Sequence, residues 1–507
     1  MSNKIAILIS GLLVALSFPT VLFGWHLPNF GFLAWFGLVP LLLAIENAKP
    51  PRAFLVGWIS ATISFLISFY WIYVALHDYG GLSSLISIAI LFLFAAANAL
   101  YIGAACGLAR WFTLKTKTEF LIALPVFWTL AEWARNYTPF GGFPWSNLAM
   151  SQSNYATLVQ IADVTGVYGV IFILVWFNVW LSQSIRNFKK SQTVVTAILI
   201  FSVFGYGLIR IHNKTKEALS APHLKVGLIQ PNISQNEKWS GDFLSKHKTI
   251  FQEAVRSLQN NVDLIVWPES SWFETLSPEN RFIPSKDFFV TASREGKPYS
   301  LLGLILATPQ NNEFRYFNSA ALVDAWGNVV GQYSKVHLVP FGEYVPLKQL
   351  FSFLKPVAAI GDFQPGTDLK PLAIEQLKIA PLICYEDIFP ELSRAMVKNG
   401  ANLLVNMTND AWYGRSSAAY QHLAAAQFRA VETGRAFVRA TNTGISAVID
   451  PTGQVVNAAP IFEQSVIVHQ IPLLQAQTIY TKLGNWFIAA CFLLALVPVV
   501  MRKRENK

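Results

Sequence analysis

The stretch that decides the fold runs from residue 378 to residue 387 and reads KIAPLICYED. Its apolar part is typical of a buried strand, and we expect the strand to stop at Cys384, where a polar loop begins. A second strand, LIVWPE, ends at Glu269, and the segment GQYSKVH places Lys335 in a third strand. A carboxylate, a lysine and a cysteine at strand ends supply a base, a stabiliser of negative charge and a nucleophile for acyl transfer.

Strand and helix signals alternate around these three segments, from about residue 219 onward. The predicted strands are 225–230, 262–267, 300–307, 317–323, 328–336, 402–406, 445–449 and 454–456, and the predicted helices are 241–259 and 418–433. Mixed strands with covering helices indicate a layered α/β domain, and residues 212–482 are long enough to bury one substantial core.

The rest of the chain is apolar enough to suggest a membrane protein. Of 507 residues, 53% are hydrophobic and only 13% are charged, and the mean hydropathy is +0.39. A soluble enzyme of this size is rarely so apolar. We predict eight spans, each close to the ~20 residues that cross a bilayer core. They are residues 5–23, 30–45, 54–76, 85–109, 120–134, 167–181, 194–211 and 483–501.

Three domains follow from this pattern. Residues 1–211 are predicted to be a seven-span membrane domain, 212–482 a catalytic domain, and 483–507 an eighth span with a basic tail. The first span is expected to be retained rather than cleaved, because no small-residue cleavage site follows it.

Loop charges predict the orientation. Lysine and arginine occur in alternate loops, at Lys4, Lys49, Arg52, Arg110, Lys115, Lys117, Arg186, Lys189, Lys190 and in residues 502–507. The intervening loops 24–29, 77–84 and 136–163 contain neither residue type. By the positive-inside rule, both termini are cytoplasmic and residues 212–482 face the outer side. The same loops account for much of the net charge of +10, so no nucleic-acid partner is predicted.

Cysteine and histidine positions limit the chemistry further. Cys384 is the only cysteine of the outer domain, so it has no disulfide partner there, whereas Cys106 and Cys491 fall inside predicted spans. His337 and His422 have no partners at metal-ligand spacing, and no metal is predicted.

Three motifs together resemble a known superfamily. They are WPE at 267–269, Lys335 followed by PFGEY at 340–344, and CYE at 384–386. This order resembles the Glu-Lys-Cys signature of the nitrilase, or carbon–nitrogen hydrolase, superfamily. With eight spans, FPW at 143–145 and QNEKW at 235–239, essentially the whole chain resembles the bacterial apolipoprotein N-acyltransferase family. The implied fold is a multi-span α-helical membrane domain plus an extracytoplasmic nitrilase-like αββα sandwich.

The resemblance also implies roles for individual residues. Cys384 matches the nucleophile, Glu269 the general base that later acts as an acid, and Lys335 the group that stabilises the oxyanion together with a backbone N–H just after Cys384. Glu343 matches a second glutamate that positions the lysine or shuttles protons.

Three further positions match the family less directly. Tyr385 and Glu386 match residues that shape the pocket, and Trp239 is either a pocket residue or simple packing. The Pro-rich, Gly-rich and apolar segment 338–366 lacks strand periodicity. It is either a lid that closes over an acyl chain or a loop packed on its own domain.

The implied reaction has two steps and needs no cofactor. Cys384 takes the sn-1 acyl chain of a phospholipid, typically phosphatidylethanolamine, and passes it to the α-amine of the N-terminal diacylglyceryl-cysteine of an apolipoprotein. A thioester conserves the energy of the ester. The resemblance further implies a multi-pass protein of the bacterial inner membrane with its catalytic domain in the periplasm, and a monomer is our default.

Two alternatives stay open at this stage. A membrane-tethered amidase of the nitrilase type would share the triad, but one span would suffice to anchor it; release of free carboxylate or ammonia would support it. A transporter or lipid-binding protein with an inactive domain would be supported by function retained in a Cys384→Ala variant, but the span interiors are nearly free of charge.

Overall fold

The computed structural model describes residues 3–22, 24–235, 238, 243–283, 298–310, 313–347 and 362–505. The chain forms two compact units. The first unit consists of Met1–His212, Ser416–Phe428 and Thr478–Lys507, and the second of Asn213–Arg415 and Arg429–Gln477. The segment Ser416–Phe428 therefore groups with the N-terminal helices, which the predicted domain boundaries did not anticipate; those boundaries stay a prediction.

The first unit is built from apolar helices. Its larger helices are Asn3–Ser17, Val39–Ile45, Pro50–Ser68, Ser84–Thr116, Phe120–Arg135, Val167–Arg186, Lys190–Ser220 and Trp486–Glu505. Short helices occur at Trp71–Val74, Ala156–Val159, Ala162–Thr165 and Ile479–Leu483, with a two-stranded hairpin of Val21–Leu22 and Trp25–His26.

Glycines allow two of these helices to pack closely. A Cβ atom on Gly57 would lie 2.7 Å from Cys106 Sγ, and one on Gly103 would lie 2.9 Å from Trp58 Cβ. The helices Pro50–Ser68 and Ser84–Thr116 thus contact through positions where only a hydrogen fits, as in membrane helix pairs.

Four helices of this unit are long and apolar enough to cross a membrane. They are Pro50–Ser68, Ser84–Thr116, Val167–Arg186 and Lys190–Ser220, and they coincide with four of the eight predicted spans. The other four predicted spans correspond to shorter apolar helices or, at 30–45, to a 3-10 segment Gly31–Trp35 followed by Val39–Ile45. Among the residues described, the structure supports a membrane protein, whereas the count of eight stays a prediction.

A buried glutamine holds Ser416–Phe428 in the first unit. Gln421 Oε1 accepts hydrogen bonds from Trp145 Nε1 at 2.7 Å and from Trp71 Nε1 at 3.3 Å. Its Nε2 donates to the carbonyl oxygens of Pro19 and Ser68, at 3.3 and 3.2 Å. Gln421 is 2% exposed, and both ends of its amide form hydrogen bonds. Replacing it would leave several buried polar groups without hydrogen-bond partners.

The second unit contains two six-stranded sheets. In spatial order, the first sheet is Ser465–Pro472, His223–Gln230, Leu264–Val266, Tyr299–Gln310, Glu313–Val323 and Val329–Ser334. The second is Val455–Ala458, Ala447–Ile449, Ala436–Thr441, Leu403–Thr408, Leu377–Ile383 and Leu372–Ile374. Each sheet has three neighbouring parallel strands, so the carboxyl ends of those strands meet at one edge, where α/β proteins place their sites.

Helices cover the outer faces of the sheets. The helix Leu244–Leu258 packs on the first sheet, where Phe251 stacks on Trp267 with ring centroids 4.6 Å apart. The helix Pro390–Lys398 contacts the strand Leu377–Ile383. The two sheets contact each other, for example through Glu313–Val323 and Leu377–Ile383. The layers are helix, sheet, sheet and helix, as the αββα prediction requires.

Candidate active site

The three predicted catalytic residues each follow the carboxyl end of a strand. Glu269 lies three residues after Leu264–Val266, Lys335 follows Val329–Ser334, and Cys384 follows Leu377–Ile383. The structure brings them together: Lys335 Nζ is 4.0 Å from Glu269 Oε1. Burial raises the pKa of the Cys384 thiol well above its usual range, the charge of Glu269 raises it further, and the ammonium of Lys335 opposes both.

Cys384 occupies a strained position at the turn. Its φ is +54°, in the left-handed region that residues other than glycine rarely adopt. The 3-10 segment Cys384–Ile388 begins there, and Asn406 Nδ2 donates to the Cys384 carbonyl at 2.8 Å. A cysteine held in such a conformation at a strand end indicates a functional position, because the strain has to be supported by its surroundings.

Lys335 is a buried cation with carboxylate partners. The residue is 1% exposed, and its Nζ lies 2.9 Å from both carboxylate oxygens of Glu343. Burial alone would lower the pKa of Lys335, but the charges of Glu343, Cys384 and Glu269 raise it above its ordinary value. The lysine therefore stays an ammonium, as an oxyanion stabiliser must.

Glu269 is held by two hydrogen-bond donors. Its Oε1 accepts from Asn318 Nδ2 at 2.7 Å, and its Oε2 accepts from the backbone N–H of Asn409 at 2.9 Å. Burial raises the pKa of this carboxyl, Lys335 lowers it, Glu343 raises it, and the hydrogen bond from Asn318 lowers it. A carboxylate with a raised pKa is suited to take a proton and return it.

Asn318 is a site residue that the sequence analysis missed. Its Nδ2 donates to Glu269 Oε1 and also to Glu343 Oε1, at 2.7 and 2.9 Å. The side chain is buried, with 4% of its surface exposed. Its two hydrogen bonds link the carboxylates that flank Lys335. The available signal was a polar residue within the otherwise apolar end of the strand Glu313–Val323.

Replacing Asn318 by leucine is expected to shift the acid limb of the pH profile of Cys384 acylation to higher pH. The hydrogen bond from Asn318 lowers the pKa of Glu269, so its loss leaves more of the base protonated at neutral pH. We expect Cys384 acylation at pH 7 to fall about tenfold and to recover toward alkaline pH. The check is the rate of acylation between pH 5 and 9.

The neighbouring Ser319→Ala variant is the matched control. Its hydroxyl pairs with Ser334 Oγ at 2.9 Å and does not contact either carboxylate. In Asn318→Leu, the acylation rate could instead fall by the same factor at every pH, with the acid limb at the same pH as in the wild type. That result would mean that Asn318 only supports the fold.

Glu386 connects the loops that carry the nucleophile and the lysine. Its carboxylate accepts hydrogen bonds from the backbone N–H groups of Ile383, Val336 and His337, at 2.7, 2.8 and 3.0 Å, and from Tyr333 Oη at 2.9 and 3.0 Å. Burial raises its pKa to about 7, against the opposing effect of these donors and of Lys335. Glu386 thus joins the two loops by hydrogen bonds, and its predicted role in shaping the pocket stays a prediction.

Of the other predicted pocket residues, two make contacts that the structure describes and one lies outside the described residues. Tyr385 Oη donates to the Leu338 carbonyl at 2.6 Å, and its ring centroid is 5.4 Å from Lys335 Nζ. Glu343 also accepts from the Val339 N–H at 2.8 Å, so it fixes the start of the segment 338–366 as well as the lysine. Trp239 lies outside the described residues, as does the 348–361 part of the predicted lid.

Amide side chains and a second lysine form hydrogen bonds around Glu269. Asn409 Nδ2 donates to Gln235 Oε1 at 2.7 Å, and Asn442 Nδ2 donates to Asn409 Oδ1 at 2.9 Å. Lys238 Nζ donates to the backbone carbonyl of Glu269 at 3.1 Å. Gln235 and Lys238 belong to the QNEKW motif, but the sequence analysis gave them no role.

Comparison with known proteins identifies the family. The carbon-nitrogen hydrolase family model matches residues 225–480, and the model of the apolipoprotein N-acyltransferase N-terminal domain matches residues 10–180. An apolipoprotein N-acyltransferase from Geobacter metallireducens is 37% identical over 98% of this chain and 95% of its own length. The chain belongs to the apolipoprotein N-acyltransferase family.

Other apolipoprotein N-acyltransferases are similar over nearly the same extent. The protein from Nitrosomonas europaea is 34% identical over 90% of both chains, and that from Haemophilus influenzae is 31% identical over 92% of this chain and 89% of its own. A solved carbon-nitrogen hydrolase from Helicobacter pylori G27 covers 52% of this chain at 15% identity, with a TM-score of 0.38. The predicted membership of both the nitrilase superfamily and the apolipoprotein N-acyltransferase family is confirmed, and with it an acyltransferase of lipoprotein biosynthesis.

Proposed function

We propose that this chain transfers the sn-1 acyl chain of a phospholipid, phosphatidylethanolamine in the first place, to the α-amine of an apolipoprotein's N-terminal diacylglyceryl-cysteine. The transfer runs through a thioester on Cys384. The observation that carries the proposal is the buried cluster at the strand ends, in which Lys335 Nζ lies 4.0 Å from Glu269 Oε1 and the charges of both act on the Cys384 thiol.

The first half-reaction forms the acyl-enzyme. Glu269 takes the proton from Sγ as the sulfur attacks the ester carbonyl carbon. The negative charge that develops on the carbonyl oxygen is stabilised by the Lys335 ammonium and by the backbone N–H of Tyr385, which as a first-turn group has no acceptor within its own 3-10 segment. The bond to the glycerol oxygen breaks, Glu269 returns the proton to that oxygen, and a lysophospholipid leaves.

The second half-reaction discharges the thioester. The acceptor's neutral amine attacks the thioester carbonyl carbon, and its N–H proton passes to Glu269. The C–S bond breaks, the sulfur takes that proton back, and the product is an N-acylated lipoprotein. Glu343 and Asn318 hold Lys335 and Glu269 in place through both steps.

Mass spectrometry tests this route directly. The purified, detergent-solubilised protein is incubated with phosphatidylethanolamine alone, and its intact mass and peptides are measured. We expect a fatty-acyl adduct on Cys384 that hydroxylamine removes and a diacylglyceryl-cysteine peptide discharges. A protein that gains no adduct, although Cys384 still reacts with a small alkylating reagent, would exclude phospholipid as donor. Release of carboxylate or ammonia from small amides would then favour the amidase.

We also propose the predicted arrangement in the bacterial inner membrane: a multi-pass monomer with a periplasmic catalytic domain and cytoplasmic termini. The distribution of lysine and arginine between alternate loops supports it. A green fluorescent protein fused after residue 507 is expected to fluoresce, because it folds in the cytoplasm and not after unfolded export. A dark fusion at 507, together with a fluorescent fusion at residue 82 in the loop 77–84, would reverse the orientation.

A further inference from the structure

A cavity beside the general base is not used by the mechanism above. Its volume is about 180 Å³, and the lining residues that the structure describes all belong to the second unit. Its lining contains polar side chains, among them Glu269, Lys238 and Ser270. It also contains the aromatic side chains Phe251, Trp272 and Phe273. A mixed lining with a cation suits a ligand that has both an anionic group and a less polar part.

Lys238 places a cation in this lining, next to the general base. Its Nζ is 3.1 Å from the Glu269 carbonyl oxygen, and the charges of Glu269 and Cys384 both act on it. Burial lowers its pKa to about 8, against the opposing effect of these two groups. The lysine is therefore still an ammonium at neutral pH, although it is buried.

Ser270 is a second, independent feature of the same lining. It follows the general base directly and has a φ of +48°, in the left-handed region. A serine in this conformation carries a backbone cost that glycine would avoid, and such strain clusters at ligand sites. Ser270 belongs to the lining of the cavity, and a serine hydroxyl is a hydrogen-bond donor that suits an oxyanion.

We propose that Lys238 and Ser270 bind the phosphate of the donor phospholipid, and that the cavity receives its head group while the sn-1 ester lies at Cys384. This inference rests on the proposed function and adds a donor-recognition site to it. The phosphate of a glycerophospholipid is separated from the sn-1 ester by the three-carbon glycerol alone, so a cation beside the base is within its reach. The acceptor carries its diacylglycerol on a thioether without phosphate, so the subsite acts only in the first half-reaction.

The size and walls of the cavity fit this occupant. An apolar cavity of about 150 Å³ accommodates benzene, so about 180 Å³ is enough for a phosphate with a two-carbon amine, which has about eight non-hydrogen atoms. Aromatic faces also attract an ammonium group, which the far end of a zwitterionic head group supplies. An acyl tail fits less well, because it would leave the lysine ammonium against hydrocarbon.

The test compares two acyl donors of the same chain length in the same detergent. Phosphatidylethanolamine contains the phosphate, whereas p-nitrophenyl palmitate presents an ester without it, and dipalmitoyl phosphatidylethanolamine matches its acyl chain. The measured quantity is kcat/KM for formation of the Cys384 adduct, by intact mass, in the wild type and in the Lys238→Met and Lys238→Arg variants. Lys238→Met keeps the length of the side chain and removes its charge, and Lys238→Arg keeps the charge.

We expect the ratio of the two kcat/KM values, phospholipid over p-nitrophenyl ester, to fall at least about tenfold in Lys238→Met, the size expected for one charge-assisted hydrogen bond. Lys238→Arg should restore most of the ratio. A ratio that is unchanged in Lys238→Met, including equal losses with both donors, would overturn the inference and leave Lys238 as a support for the Glu269 carbonyl. A wild type that is acylated by the p-nitrophenyl ester but by no phospholipid would overturn the proposed function as well.

Discussion

The Glu269→Gln variant is expected to form the acyl-enzyme on Cys384 about 10²- to 10⁴-fold more slowly than the wild type. Glutamine has the same shape and can still accept the N–H of Asn409, but it takes no proton from Sγ. The thiol starts from a raised pKa because it is buried, so without a base little thiolate forms at neutral pH. The measurement is the rate of adduct formation by intact mass, with phosphatidylethanolamine in excess.

Alkylation of Cys384 in the Glu269→Gln variant distinguishes the loss of a catalytic group from the loss of the folded site. The charge of Glu269 is one of the causes that raise the pKa of Cys384, and glutamine removes that charge. Reaction with iodoacetamide at alkaline pH should therefore be retained in Glu269→Gln while acylation is lost. The surface variant Glu375→Gln, which removes a charge from an exposed hairpin, should match the wild type in both assays. Parallel loss of alkylation and acylation would argue against a general-base role.

The second large effect is expected for Glu386→Gln. The carboxylate accepts from three backbone N–H groups and one hydroxyl, and a glutamine offers only one acceptor oxygen in the same space. At least one buried donor then loses its partner, at a cost of about 1–3 kcal/mol in the free energy of unfolding. The loops that position Lys335 and Cys384 should shift together, and a misplacement of about 1 Å lowers the rate about 10²-fold.

Tyr333→Phe is the matched control for this variant. It removes one donor to Glu386, at 2.9 and 3.0 Å from the two oxygens, and leaves the three backbone contacts in place. We expect it to cost about 1 kcal/mol and to retain most of the acylation rate. The measurements are the unfolding midpoint in detergent and the adduct rate. If Glu386→Gln unfolds and reacts like the wild type, Glu386 does not set the spacing of the two strand ends.

The positions of Glu269 and Cys384 were predictable because each lies at the end of an apolar strand. An apolar run that stops at a reactive side chain is a local signal, and it placed these two residues where the structure has them. Lys335 was predicted inside the strand 328–336, and it lies just after Val329–Ser334. Asn318 had no such signal, since it lies inside a strand and acts only through the long-range contact with Glu269 and Glu343. Long-range hydrogen bonds between side chains leave no periodicity in the sequence.

The secondary structure was likewise predicted where the signal is local and missed where it depends on contacts with distant segments. The helix 418–433 and most strands of the outer domain were predicted, whereas Leu372–Ile374, Ala436–Thr441 and Ser465–Pro472 were missed. Leu372–Ile374 and Ser465–Pro472 form sheet edges, whereas Ala436–Thr441 lies inside its sheet, and the identity of all three depends on the neighbours they pair with. Hydropathy likewise predicted one span at 30–45, but it contains no information on the break between Gly31–Trp35 and Val39–Ile45.

The position of Gln421 has a consequence for the time course of synthesis. Trp145 emerges from the ribosome 276 residues before the glutamine that accepts its indole N–H. At about 5–20 residues per second, the N-terminal helices wait roughly 15–55 s for a segment that completes their interior. A nascent chain that stops after residue 212 lacks Ser416–Phe428 and would expose this buried polar site. The N-terminal helices of an unfinished chain therefore lack the hydrogen bonds that Gln421 makes with them in the complete unit.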